Sequence, residues 1–229
     1  MNARYAVFFS PDDASDLAAY GQQVLGRTAD GHPVNPSIGD YPDRPMSAEL
    51  SETPAHYGFH ATLKAPFVLS SETSEEQLLA AVERFAGHQA PVVMHSLQPC
   101  LLSEFVALGF ASQPDAVARL AGQCVEQFEA FRAPLSDEDL RKRKPEQLSE
   151  AQKAYLFKYG YPFVMSEFRF HMTLTGRVHS TEHADYIKWL ESTYRQLVPT
   201  APVLDRVAVF WQPDRQTPFT RLAQYVFPR

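Results

Sequence analysis

Gly58-Phe59-His60-Ala61-Thr62-Leu63-Lys64 and Arg169-Phe170-His171-Met172-Thr173-Leu174-Thr175 repeat one pattern, with the two histidines 111 residues apart. In a strand, successive side chains face opposite sides. Phe59, Ala61 and Leu63 therefore share an apolar face, and His60, Thr62 and Lys64 share a polar one. In the second copy Phe170, Met172 and Leu174 oppose Arg169, His171, Thr173 and Thr175. A polar set of this kind is costly to bury without partners. Each strand is expected to present an imidazole and a hydroxyl, about 7 Å apart, to a common space. The spacing is too long for a short-period solenoid and points to a duplicated lobe.

Outward from these strands the chain alternates strand and helix. Tyr5 to Phe9 reads as a strand, and Ser10-Pro11-Asp12-Asp13 offers a cap, a first-turn proline and early acids for a helix ending at Gly26. Ser74-Glu75-Glu76-Gln77 is a capping box for a helix through about Ala86. Val92 to Leu101 and Glu104 to Phe110 read as neighbouring strands, before a helix whose inner face is Val117, Leu120, Cys124 and Phe128. Ser136-Asp137-Glu138-Asp139 reads as a second capping box opening a short helix stopped by Pro145, and another helix runs from Ser149 to Gly160, so 136–160 reads as a helical insertion. Thr181 to about Leu197 is helical, and Val203 to Trp211 and Arg221 to Phe227 are strands. Pro33, Pro36, Pro42, Pro45 and Pro54 predict a long surface loop from Gly31 to Pro54, the body of a flap over 27–56. The expected fold class is α+β: residues 1–229 form a single two-lobed domain. In it two antiparallel sheets, related by a pseudo-twofold axis, flank a central cleft with helices outside.

With 45% hydrophobic and 21% charged residues in 229, disordered and collagen-like readings are excluded. The balance of 21 basic against 27 acidic residues, net −6, argues against a nucleic-acid or anionic-membrane coat, though a local basic pocket remains compatible with it. Cys100 and Cys124 form neither a Cys-x-x-Cys motif nor a cysteine zinc site. The apolar start, Tyr5 to Phe9, meets Ser10-Pro11-Asp12-Asp13 before a signal-peptide core is complete, and no run nears the roughly 18 apolar residues of a membrane span. A cytoplasmic location without a membrane partner is expected.

Histidine, with an ordinary pKa of about 6.5, allows one copy to be neutral and the other protonated. Breaking a phosphodiester needs a base for the attacking oxygen and an acid for the leaving one. Two histidines facing one phosphorus supply both, with Thr62, Thr173, Lys64 and Arg169 as hydrogen-bond donors to the phosphoryl oxygens and no metal required. A competing signal is His179-Ser180-Thr181-Glu182-His183, which matches the His-x-x-Glu-His motif of some zinc peptidases. Ser180 or Thr181 is the expected N-cap, however, which leaves His179 outside the helix. Arg141-Lys142-Arg143-Lys144 reads first as a solvated helix end and second as an arm for a phosphate or an RNA backbone.

The paired motifs resemble the two-histidine (2H) phosphoesterase superfamily, whose members carry two His-x-Thr/Ser motifs on a bilobal sheet scaffold. Tyr57 to Phe67, Phe131-Arg132-Ala133-Pro134-Leu135, Gly160-Tyr161-Pro162, Glu167 to Arg177 and Arg4-Tyr5-Ala6 extend the similarity over nearly the whole chain. The branch they resemble is encoded beside bacterial phosphonate-utilisation genes. The resemblance implies metal-independent, cofactor-free hydrolysis of a cyclic or 2′-linked phosphodiester of a ribose or nucleotide. His60, Thr62, His171 and Thr173 stand at the catalytic positions, and Lys64, Arg169, Tyr5, Arg132 and Tyr161 are the expected substrate contacts. The implied partner is a small-molecule phosphodiester such as a ribose cyclic phosphate, with an RNA end less favoured and the oligomeric state unset. Two alternatives are a non-catalytic nucleotide or RNA phosphate-binding module and a zinc hydrolase on His179, Glu182 and His183.

Overall fold

Nine strands and seven α-helices order residues 3–35 and 48–228, the part of the chain that this computed structural model describes. The strands are β1 (Arg4–Phe9), β2 (Ala61–Phe67), β3 (Val92–Val93), β4 (Gln98–Leu102), β5 (Phe105–Gly109), β6 (His171–Thr173), β7 (Val203–Leu204), β8 (Arg206–Gln212) and β9 (Thr220–Val226). Seven of them form one antiparallel sheet in the order β4-β5-β6-β2-β1-β8-β9, while β3 and β7 make a separate ribbon. The fold is therefore α+β, as its sequence predicts. The two sheets expected around a cleft are the two halves of this one sheet. They meet where the motif strands β2 and β6 pair at Ala61 and Met172.

One face of the sheet carries the main core. Tyr5, Val7 and Phe9 of β1 join Ala61, Leu63, Leu108, Met172, Leu174, Val207 and Val209 there. Leu17 and Val24 of α1 (Asp16–Leu25), Leu78 and Val82 of α3 (Glu75–Ala86), Leu120 and Cys124 of α4 (Asp115–Gln127) and Leu190 of α7 (His183–Leu197) complete it. The alternate residues Ala6 and Phe8 pack on the other face with Ala208, Phe210 and Phe219, against Tyr57 of α2 (Ala48–Tyr57). Burial on both sides explains why β1 is continuously apolar after Arg4 rather than alternating.

The caps place the helices. Ser74 and Gln77 close the capping box of α3, Ser136 caps α5 (Asp137–Lys142), and Ser149 with Gln152 opens α6 (Glu150–Tyr159). For α1 the capping side chain is Ser15 rather than Ser10, and Gly26 ends the helix in the left-handed region. The expected loop from Gly31 to Pro54 is corrected at its end, where α2 runs through Pro54. A proline inside a helix strands the carbonyl four residues earlier. Here that carbonyl, of Leu50, accepts the amide of Gly176. The middle of the expected flap, 36–47, lies outside the described residues.

A β-bulge interrupts β2: Val7 pairs with Lys64 and Phe8 with Thr62, leaving Leu63 as the extra residue. Leu63 and Lys64 are consequently both buried. The second motif repeats the feature, since Leu174 and Thr175 are both buried and both donate their amides to the Val106 carbonyl. Among the described residues no helix is long and apolar enough to cross a membrane.

Candidate active site

Gly58, with φ of +76°, turns the chain from α2 toward the first motif. Its carbonyl accepts a 2.9 Å hydrogen bond from Nδ1 of His60, and the Arg169 carbonyl accepts one of 2.8 Å from Nδ1 of His171. A carbonyl only accepts, so the proton sits on Nδ1 in both rings and each neutral imidazole keeps Nε2 as a lone-pair site. The two motifs thus fix the same tautomer by the same local contact, from the imidazole back to the carbonyl two residues earlier. Nε2 of His60 lies 3.2 Å from Oγ1 of Thr62. Phe8 stacks under the His60 ring at 3.9 Å between centroids, and Phe105 stands 6.2 Å from the His171 ring.

Pairing of Ala61 with Met172 sets Thr62 across from His171 and His60 across from Thr173, all four on the face away from the main core. The two histidines are diagonal neighbours on adjacent strands, a backbone separation of about 7–8 Å. Burial pushes the His60 pKa down to about 4; the Gly58 carbonyl opposes this, and the nearby His171 adds to it. Burial also lowers the His171 pKa below its ordinary value, against the pull of the Arg169 carbonyl. Both imidazoles are therefore held neutral in the unliganded protein at neutral pH.

A groove of about 460 Å³ is lined by Thr62 and His171, whereas His60, behind Thr62, and Thr173 are not among its lining residues. The β4–β5 hairpin supplies one wall with Leu102, Ser103 and Phe105, and Gln152, Tyr161, Phe163, Glu167, Phe168 and Arg169 supply the other. Arg169 is exposed at the rim. Tyr161 also borders a second, smaller recess that holds Arg132, whose Nε and Nη2 donate to Oε1 of Glu129.

Two expected substrate contacts lie elsewhere. The bulge turns Lys64 into the interior, where its Nζ donates to the Val125 carbonyl at 3.0 Å and to Oε2 of Glu129 at 2.8 Å. Tyr5 belongs to the main-core face, and its hydroxyl donates to Oε2 of Glu75 at 2.8 Å. Burial, with Glu75 adding, pushes its pKa up to about 12. The strand alternation of Tyr5, Val7 and Phe9 already carried this signal, and it assigns Arg4 to the histidine face instead. Arg4, which the sequence offers only within the similar segment Arg4-Tyr5-Ala6, and Arg215, which no motif marks, line the recess together with Arg143 of the basic run. The zinc-peptidase pattern does not assemble: His179 caps the 3-10 turn at Ser180–Glu182, and His183 makes a 2.9 Å hydrogen bond from Nε2 to the Val178 carbonyl. Among the described residues no three His, Cys, Asp or Glu side chains are grouped to hold a metal.

The chain is 38% identical over 188 residues to a protein named ribose 1,5-bisphosphate phosphokinase PhnN from Janthinobacterium sp. (strain Marseille), covering 80% of this chain and 40% of that one. It is 34% identical over 189 residues to a protein of the same name from Laribacter hongkongensis (strain HLHK9), covering 82% and 42% respectively. The chain thus spans well under half the length of these curated relatives. Among solved structures, E. coli LigT complexed with 3′-AMP aligns over 100% of both chains at 14% identity and a TM-score of 0.43. The pattern of one family matches residues 62–220, and the chain belongs to that family, described as protein of unknown function (DUF1045).

Proposed function

We propose that the chain is a phosphodiesterase that hydrolyses a cyclic or 2′-linked phosphodiester of a ribose or nucleotide by paired-histidine acid and base catalysis. The observation that carries the reading is the matched pair of imidazoles, each tied through Nδ1 to the carbonyl two residues earlier and sharing one sheet face. His60, whose pKa is the more clearly depressed, is the base: its Nε2 takes a proton from water as the water oxygen bonds to phosphorus. His171 is the acid, and gives the Nε2 proton to the ribose oxygen as the bond from that oxygen to phosphorus breaks. A bound phosphodiester anion raises both imidazole pKa values and so supplies His171 with its proton near neutrality. The hydroxyls of Thr62 and Thr173 donate to the non-bridging oxygens.

The motif resemblance supports this chemistry, and the relatives' name, which joins a ribose bisphosphate to the PhnN label, supports a pentose phosphate skeleton and a place in phosphonate metabolism. In this reading the whole chain acts as one two-lobed cytoplasmic unit, with 136–160 as an insertion. No metal or cofactor takes part. The test is a panel of 2′,3′-cyclic nucleotides and ribose cyclic phosphates, assayed with EDTA present. Wild type should release product, and His60→Asn and His171→Asn should each lose about 10²- to 10⁴-fold in kcat. Binding without turnover by wild type would make the site a phosphate-binding module; loss of activity in EDTA with rescue by zinc would make it a metal hydrolase.

A further inference from the structure

The recess beside the groove is built for an anion. Arg4, Arg132, Arg143 and Arg215 line it with Asp139 as the sole carboxylate among its lining residues, in a chain of net charge −6. Four separate segments deliver these guanidiniums: β1, the turn after α4, the end of α5 and the β8–β9 connection. Arg215 pairs with Asp139, and Arg132 shares Glu129 with Lys64. Among the described residues neither Arg4 nor Arg143 has a salt bridge of its own, although Asp139 lies near enough to Arg4 to favour its charged form. Arg4, only 9% exposed, donates from Nε and Nη2 to the neutral Oε1 of Gln212, and Arg143 lies 4.8 Å over the Tyr161 ring. A guanidinium withdrawn from water onto a neutral partner, with Arg215 near it, costs free energy that an arriving anion returns.

The backbone is shaped to the same end. Gly160 closes α6 at φ of +73°, and a Cβ there would sit 3.0 Å from Cδ and Nε of Arg132. Glycine thus lets Arg132 lie flat against the main chain at the edge of the recess. The recess is the smaller of the two spaces, about 40 Å³ against about 460 Å³ in the groove, which suits a compact tetrahedral anion. The two spaces are neighbours that share Tyr161 as a lining residue.

We propose that the recess is a second anion subsite that receives a terminal phosphomonoester of the same substrate whose diester lies between His60 and His171. The substrate class is then a phosphodiester that carries a second phosphate, not a bare cyclic nucleotide. The diester half of this statement rests on the proposed function, whereas phosphate capture by the arginines does not.

Two measurements separate the halves. Calorimetric titration of ribose 5-phosphate, a monoester without a diester, should show binding to wild type and to the His60→Asn/His171→Asn double variant alike. In Arg143→Gln/Arg215→Gln that affinity should fall at least ~10-fold, the worth of one charge-assisted hydrogen bond or more. Turnover of adenosine 2′,3′-cyclic phosphate with and without a 5′-phosphate should favour the phosphorylated form in wild type, and this preference should collapse in the arginine variant. Inorganic phosphate should compete with the phosphorylated form. Melting curves of each variant establish that it is folded, and Arg143→Gln alone, which leaves the Arg215–Asp139 pair intact, repeats the test if the double variant unfolds. Ribose 5-phosphate that fails to bind, or equal turnover of the two diesters, overturns the second subsite and leaves the histidine site standing. Ribose 5-phosphate bound normally by a protein that hydrolyses neither diester keeps the recess and overturns the enzyme.

Discussion

At the scale of single residues, two depressed imidazoles predict the pH dependence. The base must be neutral and the acid protonated, so kcat/KM rises with pH as His60 loses its proton, around a pKa of about 4. It falls again as His171 loses its own, below the ordinary 6.5 because burial lowers it. A bell centred on the acid side of 6.5 is therefore expected in initial-rate measurements, and His60→Asn should erase its acid limb. An alkaline-shifted or flat profile would sink the acid and base assignment. The same shift acts on stability. Because folded His60 binds protons less readily than the unfolded chain, its contribution is complete above about pH 6.5 and is lost as pH falls toward 4. Part of the acid drop in wild-type Tm should be missing from His60→Asn. Thr62→Val removes a donor without changing volume much, and a loss of about 10²- to 10³-fold in kcat is expected if its hydroxyl serves the transition state.

At the scale of elements, α1 positions the first motif through a glycine. Gly21 lies under the ring of Phe59, and a Cβ there would come 2.0 Å from Cδ1. Phe59 immediately precedes His60, so Gly21→Ala is expected to lower stability by about 1–3 kcal/mol and to cut turnover as well. Gly87→Ala, whose Cβ would meet only backbone oxygens at 3.5 Å and beyond, is the control in urea unfolding. Lys64→Ala tests the bulge: it should cost about 1.5–3 kcal/mol by removing a charged hydrogen bond, while Arg132 stays on Glu129, and it should leave the pH profile in place. Most strands, the Ser74 capping box and the duplicated motif are legible because local rules write them: period-2 alternation, serine with glutamine three residues on, and repetition; Val92 to Leu101, expected as one strand, is instead β3 and β4 in separate sheets, and Ser136 caps α5 without the reciprocal contact of a box. Lys64 departs from its expected face because a bulge in the partner register breaks that alternation, and no residue type in the stretch announces it. Pro54 predicts a loop where α2 stands, because it argues against a helix until Gly176, distant in sequence, takes up the Leu50 carbonyl. Arg4, Arg143 and Arg215 converge only through tertiary structure, so their spacing in the chain carries no signal.

At the scale of the molecule, the proposed site lies across a seam. The half containing β4, β5 and β6 carries His171 and Thr173, the half containing β2, β1, β8 and β9 carries Thr62 and follows directly from His60, and Ala61 with Met172 is the register pair that joins them. The contrast with the β1–β8 pairing, which runs over five residue pairs, marks this as the weakest ladder in the sheet centre. An anion held from both sides adds a crossing interaction where the backbone supplies least. His60→Asn, which should hold an intact diester, allows this to be measured at equilibrium. At 100 times its Kd the ligand stabilises the folded state by about 2.7 kcal/mol, which corresponds to a Tm rise of about 5–10 °C for a domain of this size. Hydrogen exchange should slow on both sides of the seam, at the amides of β2 and of β5 and β6 together. Protection confined to one half, with the expected Tm rise, would mean that the ligand sits on a single lobe and that the two histidines do not act on one phosphorus.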